Sequence, residues 1–514
     1  MYLTQSLHRA LQQRPDALAT IYGERTRTVA ESADRVARFA GALRGLGVGK
    51  GDRVGILALN SDRYHEYYIA VPWLGAVVNP VNIRWSPAEI VYSLRDSGTT
   101  TLLVDDMFAQ ALPAILAEYP LEHVVFIGDG ERPDGTLDYE TLVAESDPAP
   151  DTRTGGAELL GLFYTGGTTG FPKGVMLSHD NVVTSALGAL ATTDLATRHG
   201  RLLHAAPMFH LADYAAWNIG NVLGATHVIV PVFTPPGVLK AMAEHRVTDS
   251  LLVPTMIQML VDDPGAAEHD LSGLRRVLYG ASPISEALLE RAAKAFPSAE
   301  FTQAYGMTEL SPIATLLTAE DHRRPELRRA AGRAVAHAEV RVVDPDGNEV
   351  PRGTVGEIVV KGDNVMLGYW NKPEETAAAV VDGWMHTGDG GYMDEAGYVF
   401  VVDRLKDMIV TGGENVYSAE VENALAKHPA VAQCAVIGIP DADWGERVHA
   451  VVVLAPGRTA TAEELGTHCK SLIANYKIPR SVEFADALPL SGAGKILKRE
   501  LRKPHWEQAG RDVS

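Results

Sequence analysis

A chain of 514 residues with 46 Lys and Arg against 65 Asp and Glu has a formal net charge of −19, which argues against a general nucleic-acid binder with a basic face. Its 46% hydrophobic and 22% charged content suits a folded globular protein, and its length exceeds what one hydrophobic core supports, so two or more domains are expected. Cys434 and Cys469 alone leave no room for a disulfide framework or a cysteine-built metal site. The first 14 residues are polar and unlike a signal peptide, and no apolar run approaches the roughly 20 residues of a membrane span. A cytoplasmic location is expected.

In chain order, apolar runs at 54–59, 101–104 and 124–127 read as strands, with a helix over 64–74. The run 159–163 reads as a further strand leading into the Gly/Thr-rich stretch 164–174. The same beat returns at 228–230, 250–253, 277–280 and 301–306. Short strands alternating with helices imply parallel sheets covered by helices on both faces, and ligands bind beyond the ends of such strands. After about Arg333 the pattern turns to β-hairpins, at 340–343 and 357–360, with an Asp346-Gly347 turn between them. Beyond Asp403 a helix over 420–427, strands over 431–439 and 448–454, and a helix over 462–474 make a small α+β unit. The expected fold class is therefore α/β. A large N-terminal domain of parallel and mixed sheets flanked by helices, with a β-rich subdomain, spans 1–403; a small mobile α+β domain spans 404–514.

The stretch from Tyr164 to Gly174, YTGGTTGFPKG, combines glycines that admit close backbone approach, threonine hydroxyls and one Lys. Those are the components of a loop that wraps phosphate. It is not the GxxxxGK[ST] loop, because Pro172 precedes Lys173 and Gly174 follows it. The whole string resembles the phosphate loop of the acyl-adenylate-forming enzymes: acyl-CoA synthetases, peptide-synthetase adenylation domains and luciferases. Further segments match that family in order: Ala206 to His210, Gly280 to Pro283, Tyr305 to Glu309, Gly356 to Ile358, Gly368 to Pro373, Trp384 to Asp389, Asp403 to Ile409, Gly412 to Asn415 and Leu490 to Ile496.

The resemblance implies a role for each matched residue. Thr165, Gly166, Gly167, Thr168, Thr169, Gly170 and Lys173 would hold the phosphates of ATP; Gly280, Ala281 and Ser282 would pack on adenine, beside Tyr305 and Gly306; Thr308 would lie near the α-phosphate. Glu309 would carry Mg²⁺, a hard cation that takes one carboxylate plus substrate phosphates. Asp389 would accept hydrogen bonds from the ribose hydroxyls, and Arg404 would reach ribose or phosphate. Lys406 would be the hinge, and Gly412, Gly413 and Trp444 would line the path of coenzyme A. Lys495 would be the catalytic lysine, stabilising charge as the carboxylate meets the α-phosphate, with His210, Thr165 and Lys173 beside it. The implied reaction joins a carboxylic acid to coenzyme A through an acyl-AMP, releasing AMP and pyrophosphate.

Phe209, His210, Tyr214 and Trp217 would wall the acyl pocket. Ala215, Ala216 and Gly220 are small enough to leave room there, and Asp213 is expected on the surface or capping the helix. On that reading the pocket is apolar and medium to long fatty acids are the expected substrates, each methylene contributing about 0.8 kcal/mol. Aryl acids of the cinnamate or benzoate type are the alternative, as is an enzyme that hands acyl-AMP to another acceptor. The basic runs Arg323, Arg324, Arg328, Arg329, Arg333 and Lys498, Arg499, Arg502, Lys503 read as helix-surface decoration or as contacts to a phosphate or a membrane. Peripheral membrane contact and a homodimer are both left open.

Overall fold

Residues 1–165, 172–282, 284–405, 407–412, 414–441, 443–491 and 496–508 are described by the computed structural model. Two large sheets make up most of the N-terminal part. One has nine strands, and its central members, Thr226–Ile229, Arg201–His204, Asp249–Leu252, Arg276–Gly280 and Glu300–Gly306, run parallel. The other has eight, with parallel Val77–Pro80, Arg53–Leu57, Thr101–Val104 and His123–Phe126 at its heart. Runs of Val, Ile and Leu in strands such as Thr101–Val104 and Arg276–Gly280 follow from burial on both faces. Antiparallel strands finish three of the four edges, as Ile313–Leu317 does beside Glu300–Gly306, while parallel Leu137–Asp138 ends the eight-stranded sheet.

Helix Asp62–Trp73, expected over 64–74, is buried on every side. A helix so enclosed must neutralise its charges internally. Arg25 chelates Asp62 (2.9 and 3.0 Å), while Arg35 meets Glu66 at 2.6 Å and Tyr139 donates to Glu66 at 2.5 Å.

The Gly/Thr-rich stretch links two antiparallel strands, Leu159–Thr165 and Lys173–Ser178, in which Thr165 stands opposite Lys173. A hairpin there explains why no helix-opening Lys is present. Tyr164, the first residue of the stretch, is anchored by its hydroxyl to Asp96 (2.7 Å). The β-rich part is a five-stranded sheet built on Ala338–Val343, Gly356–Gly362, Trp384–Met393 and Val399–Arg404.

Strands Ile409–Thr411, Glu414–Val416, Val431–Asp441, Gly445–Leu454 and Ser481–Phe484 form a separate sheet. Helices Ser418–Leu425 and Ala462–Lys470 pack on it around a core of their own. The second helix stops short of the expected 474: the Ser471 hydroxyl donates to the His468 carbonyl (2.7 Å) and closes the last turn.

Most of the basic residues lie on the surface as expected, Arg323 and Lys503 among them, but Lys498 and Arg502 do not. Lys498 reaches Glu422 (2.7 Å) and the 8%-exposed Arg502 reaches Asp407 (2.8 Å), so two of these cations fasten the last helix, Lys498–Gln508, to the C-terminal unit. The arginines between 323 and 333 face carboxylates: Arg323 pairs with Glu300, Arg324 with Glu326 and Arg328 with Glu290, while Arg333 lies over the Tyr398 ring. Charges matched in this way offer little net field to a polyanion.

Candidate active site

Lys173 and Glu309 are brought together by a residue to which the sequence assigned no role. The Lys173 ammonium lies 5.0 Å from the centre of the Tyr369 ring, and the Tyr369 hydroxyl donates to Glu309 Oε1 at 2.8 Å. Tyr369 belongs to the two-residue strand Gly368–Tyr369 at the edge of the eight-stranded sheet, whereas Glu309 sits in the turn Thr308–Leu310 leaving the nine-stranded one. The backbone N–H of Met366 adds a bond to the Glu309 carbonyl (2.9 Å). The two sheets are thus tied at this point. Glu309 is 6% exposed. A single buried carboxylate beside a phosphate-type loop is a donor set that suits magnesium, which takes one or two carboxylates and completes its shell with phosphate and water.

Tyr305, Asp389 and Arg404 form a second group. Asp389 and Arg404 are cross-strand partners, with Arg404 Nε 2.7 Å from Asp389 Oδ1. The Tyr305 hydroxyl donates to Asp389 Oδ2 at 2.8 Å. Burial, and next the Asp389 carboxylate, hold the Tyr305 phenol well above its ordinary pKa, so it stays a neutral donor. Each carboxylate oxygen keeps a second lone pair, which leaves Asp389 capacity for ribose hydroxyls. Behind it, Glu357 orders the strand by accepting from the Gly388 N–H (3.0 Å) and bonding the His386 ring (2.9 Å). Gly280 and Ala304 are opposite one another on neighbouring parallel strands. Ala281 follows at φ +66°, a left-handed conformation uncommon for a residue with a side chain and often found at functional segments. Ser282, Gly306 and Thr308 lie on the same strand ends and the turn after them.

On the acid side, His210 caps helix Leu211–Leu223, its Nδ1 accepting from the Ala212 N–H (3.2 Å). In the neutral ring this puts the proton on Nε2. Phe209 is buried beside it. Tyr214 and Trp217 stack at 5.2 Å and 20° and pack against Tyr68 and Phe163. Two expectations fail here. Gly220 leaves no room for a substrate, since a Cβ on it would stand 2.9 Å from both His227 and Leu202. Asp213 is neither on the surface nor exposed at the helix end: it is 0% exposed and accepts from His204 Nδ1 at 2.8 Å. His204 Nε2 in turn bonds His227 Nδ1 (2.8 Å), and the His65 ring lies 4.9 Å from that of His227.

Burial, and next the nearby His204, press the His65 pKa down to about 3; burial also holds His227 well below its usual value. Both rings are neutral when folded but protonate near pH 6.5 when unfolded. Stability is therefore fully present above pH 6.5 and is expected to fall below it, by about 1.4 kcal/mol per pH unit for each histidine. Thermal midpoints between pH 7 and 5 should drop less steeply in His65→Gln; a slope equal to that of the parent would refute this origin.

Gly412, at φ +62°, accommodates the Trp444 ring, and a Cβ there would come within 2.4 Å of it. Trp444 is 45% exposed, with the Arg480 guanidinium 4.2 Å from its ring centre. Gly166, Gly167, Thr168, Thr169, Gly170, Pro283, Lys406, Gly413 and Lys495 lie outside the described residues.

A family model described as AMP-binding enzyme matches residues 7–370, and one described as AMP-binding enzyme C-terminal domain matches 420–495. A feruloyl-CoA synthase of Amycolatopsis sp is 42% identical over 496 residues, covering 96% of this chain and 97% of the relative. A fatty acid–[acyl-carrier-protein] ligase of Streptomyces coeruleorubidus is 38% identical over 517 residues, covering 99% and 97%. The crystal structure of an anthranilate CoA ligase in complex with anthranoyl-AMP superposes with a TM-score of 0.92 at 27% identity, covering 99% of this chain and 98% of that one.

Proposed function

We propose, from the premise that the chain belongs to the AMP-binding enzyme family, that it joins a planar aryl acid of the cinnamate or benzoate type to coenzyme A. It is an acid–thiol ligase; the acid is the open question. The observation that carries the aryl reading is the packing behind Phe209 and His210. Tyr214 and Trp217 are at most 1% exposed and locked in a ring cluster, and Gly220 is filled by His227 and Leu202. A long acyl chain directed there would have to displace these buried rings, whereas a short planar acid that ends at Phe209 and His210 would not. The feruloyl-CoA synthase relatives support the same choice. Fatty acids remain the second reading, favoured by the fatty-acid ligase among the relatives.

In the first half-reaction the carboxylate oxygen attacks the α-phosphorus of ATP and pyrophosphate departs. Lys173 and the hairpin loop hold the phosphates, Asp389 and Arg404 the ribose side, and His210 Nε2–H can orient the incoming carboxylate. Mg²⁺ on Glu309 would neutralise phosphate charge. In the second, the thiol sulfur attacks the acyl carbonyl carbon and AMP leaves. We place the domain boundary at Asp403 and Arg404 and the pivot at Lys406. A turn about it would withdraw Lys495 and bring the Gly412–Trp444 surface to the acyl-adenylate.

The test is kcat/KM across acetate, octanoate, palmitate and a hydroxycinnamate, read as thioester. The hydroxycinnamate is expected to lead by about tenfold or more, the range expected when a pocket fits one shape and not another. Highest efficiency with octanoate or palmitate would establish the fatty-acid reading instead.

A further inference from the structure

The C-terminal unit holds a second group of metal-capable side chains, none of them among the residues assigned above. His449 lies on strand Gly445–Leu454, Glu483 on the neighbouring parallel strand Ser481–Phe484, and His505 on helix Lys498–Gln508. Their ligand atoms all lie within 4.8 Å of one another, with His449 Nε2 3.7 Å from Glu483 Oε2 and the two imidazole centres 5.0 Å apart. His449 is 5% exposed, and its Nε2 is buried without a hydrogen-bond partner among the described residues. Buried polar atoms are seldom left in that condition. The other ring nitrogen, Nδ1, is bonded to Ser481 Oγ at 2.8 Å. When that hydroxyl accepts from Nδ1–H, the lone pair sits on Nε2 and faces Glu483 and His505.

We propose that His449, Glu483 and His505 bind a divalent transition-metal ion, zinc by their chemistry, with water in the remaining position. Two imidazoles and one carboxylate suit zinc and its neighbours, and not magnesium or calcium, which favour all-oxygen shells. Ser481 plays the part of the outer partner that fixes the tautomer and aims the ring. Ligands at tetrahedral zinc stand about 3.3 Å apart, so the group must close by roughly 1.5 Å. The Glu483 side chain is 57% exposed and His505 is part-exposed, so both can rotate inward while His449 stays put. The ion would clasp the sheet to the helix Lys498–Gln508, which begins shortly after Lys495 in the sequence. That helix is otherwise fastened by the Lys498–Glu422 and Arg502–Asp407 pairs. Its role would be to stabilise the unit, with no part in the ligase chemistry.

The experiment uses tag-free full-length protein, stripped with a chelator and titrated with Zn²⁺ against a chromophoric competitor at pH 7.5, alongside thermal melts. One equivalent of zinc is expected to bind and raise the midpoint. Glu483→Gln and His505→Gln should each weaken that equivalent by roughly tenfold or more, and Ser481→Ala by about tenfold. The metal-free melt of Glu483→Gln, an exposed position, checks that the fold is retained. Absence of zinc binding overturns the proposal. Binding undiminished in both ligand variants overturns it equally.

Discussion

Lys495→Ala is expected to lower acyl-AMP formation by about 10²- to 10³-fold, the loss typical when one charge-stabilising donor is removed from a reaction centre. Thioester formation from supplied acyl-AMP and coenzyme A should change little. The expectation follows from the place of Lys495 in the Leu490 to Ile496 motif and from the domain rotation proposed above, in which this lysine would serve only the first step. The substitution should not unfold its surroundings. The following helix is held independently by Lys498 on Glu422 and Arg502 on Asp407, and Leu490 and Ile496, on either side of Lys495 in the sequence, pair through their backbones. Pyrophosphate release measured without coenzyme A reports the first step, and thioester from synthetic acyl-AMP reports the second. Equal loss in both assays would refute a lysine confined to adenylation.

The second large effect is on stability. Asp213→Ala should cost about 3 kcal/mol, because it leaves the fully buried His204 Nδ1–H without an acceptor. In a protein of this size that corresponds to a fall in thermal midpoint of about 3 °C. Asp213→Asn keeps an acceptor oxygen at the same place and should lose clearly less. The pair of variants separates the hydrogen bond from mere loss of volume. Equal midpoints for Ala and Asn would assign the effect to packing, and a midpoint unchanged in Ala would mean the His204 contact contributes nothing.

The chemistry of this protein was legible in short stretches of sequence because phosphate loops, carboxylate ligands and tight turns are built from consecutive residues. YTGGTTGFPKG, with the motifs that follow it in order, pointed to the AMP-binding family that the family models match, and the apolar runs of four or five residues mark buried parallel strands, as at 53–57, 101–104 and 276–280. The same reasoning placed Asp389 and Arg404 in one site, and they are register partners. What a charge faces is another matter, since that depends on elements far away in the chain. Asp213 reads as an ordinary first-turn carboxylate until strand Arg201–His204 carries His204 up against it, with His227 of Thr226–Ile229 bonded to the far side of that ring. Tyr369 is 60 residues from the Glu309 it bonds, and Arg502 reads as surface until it meets Asp407. Burying a charge is unfavourable unless a partner arrives from elsewhere. Local sequence records the charge, and only the tertiary structure supplies the partner that decides whether it is solvated, structural or part of a site.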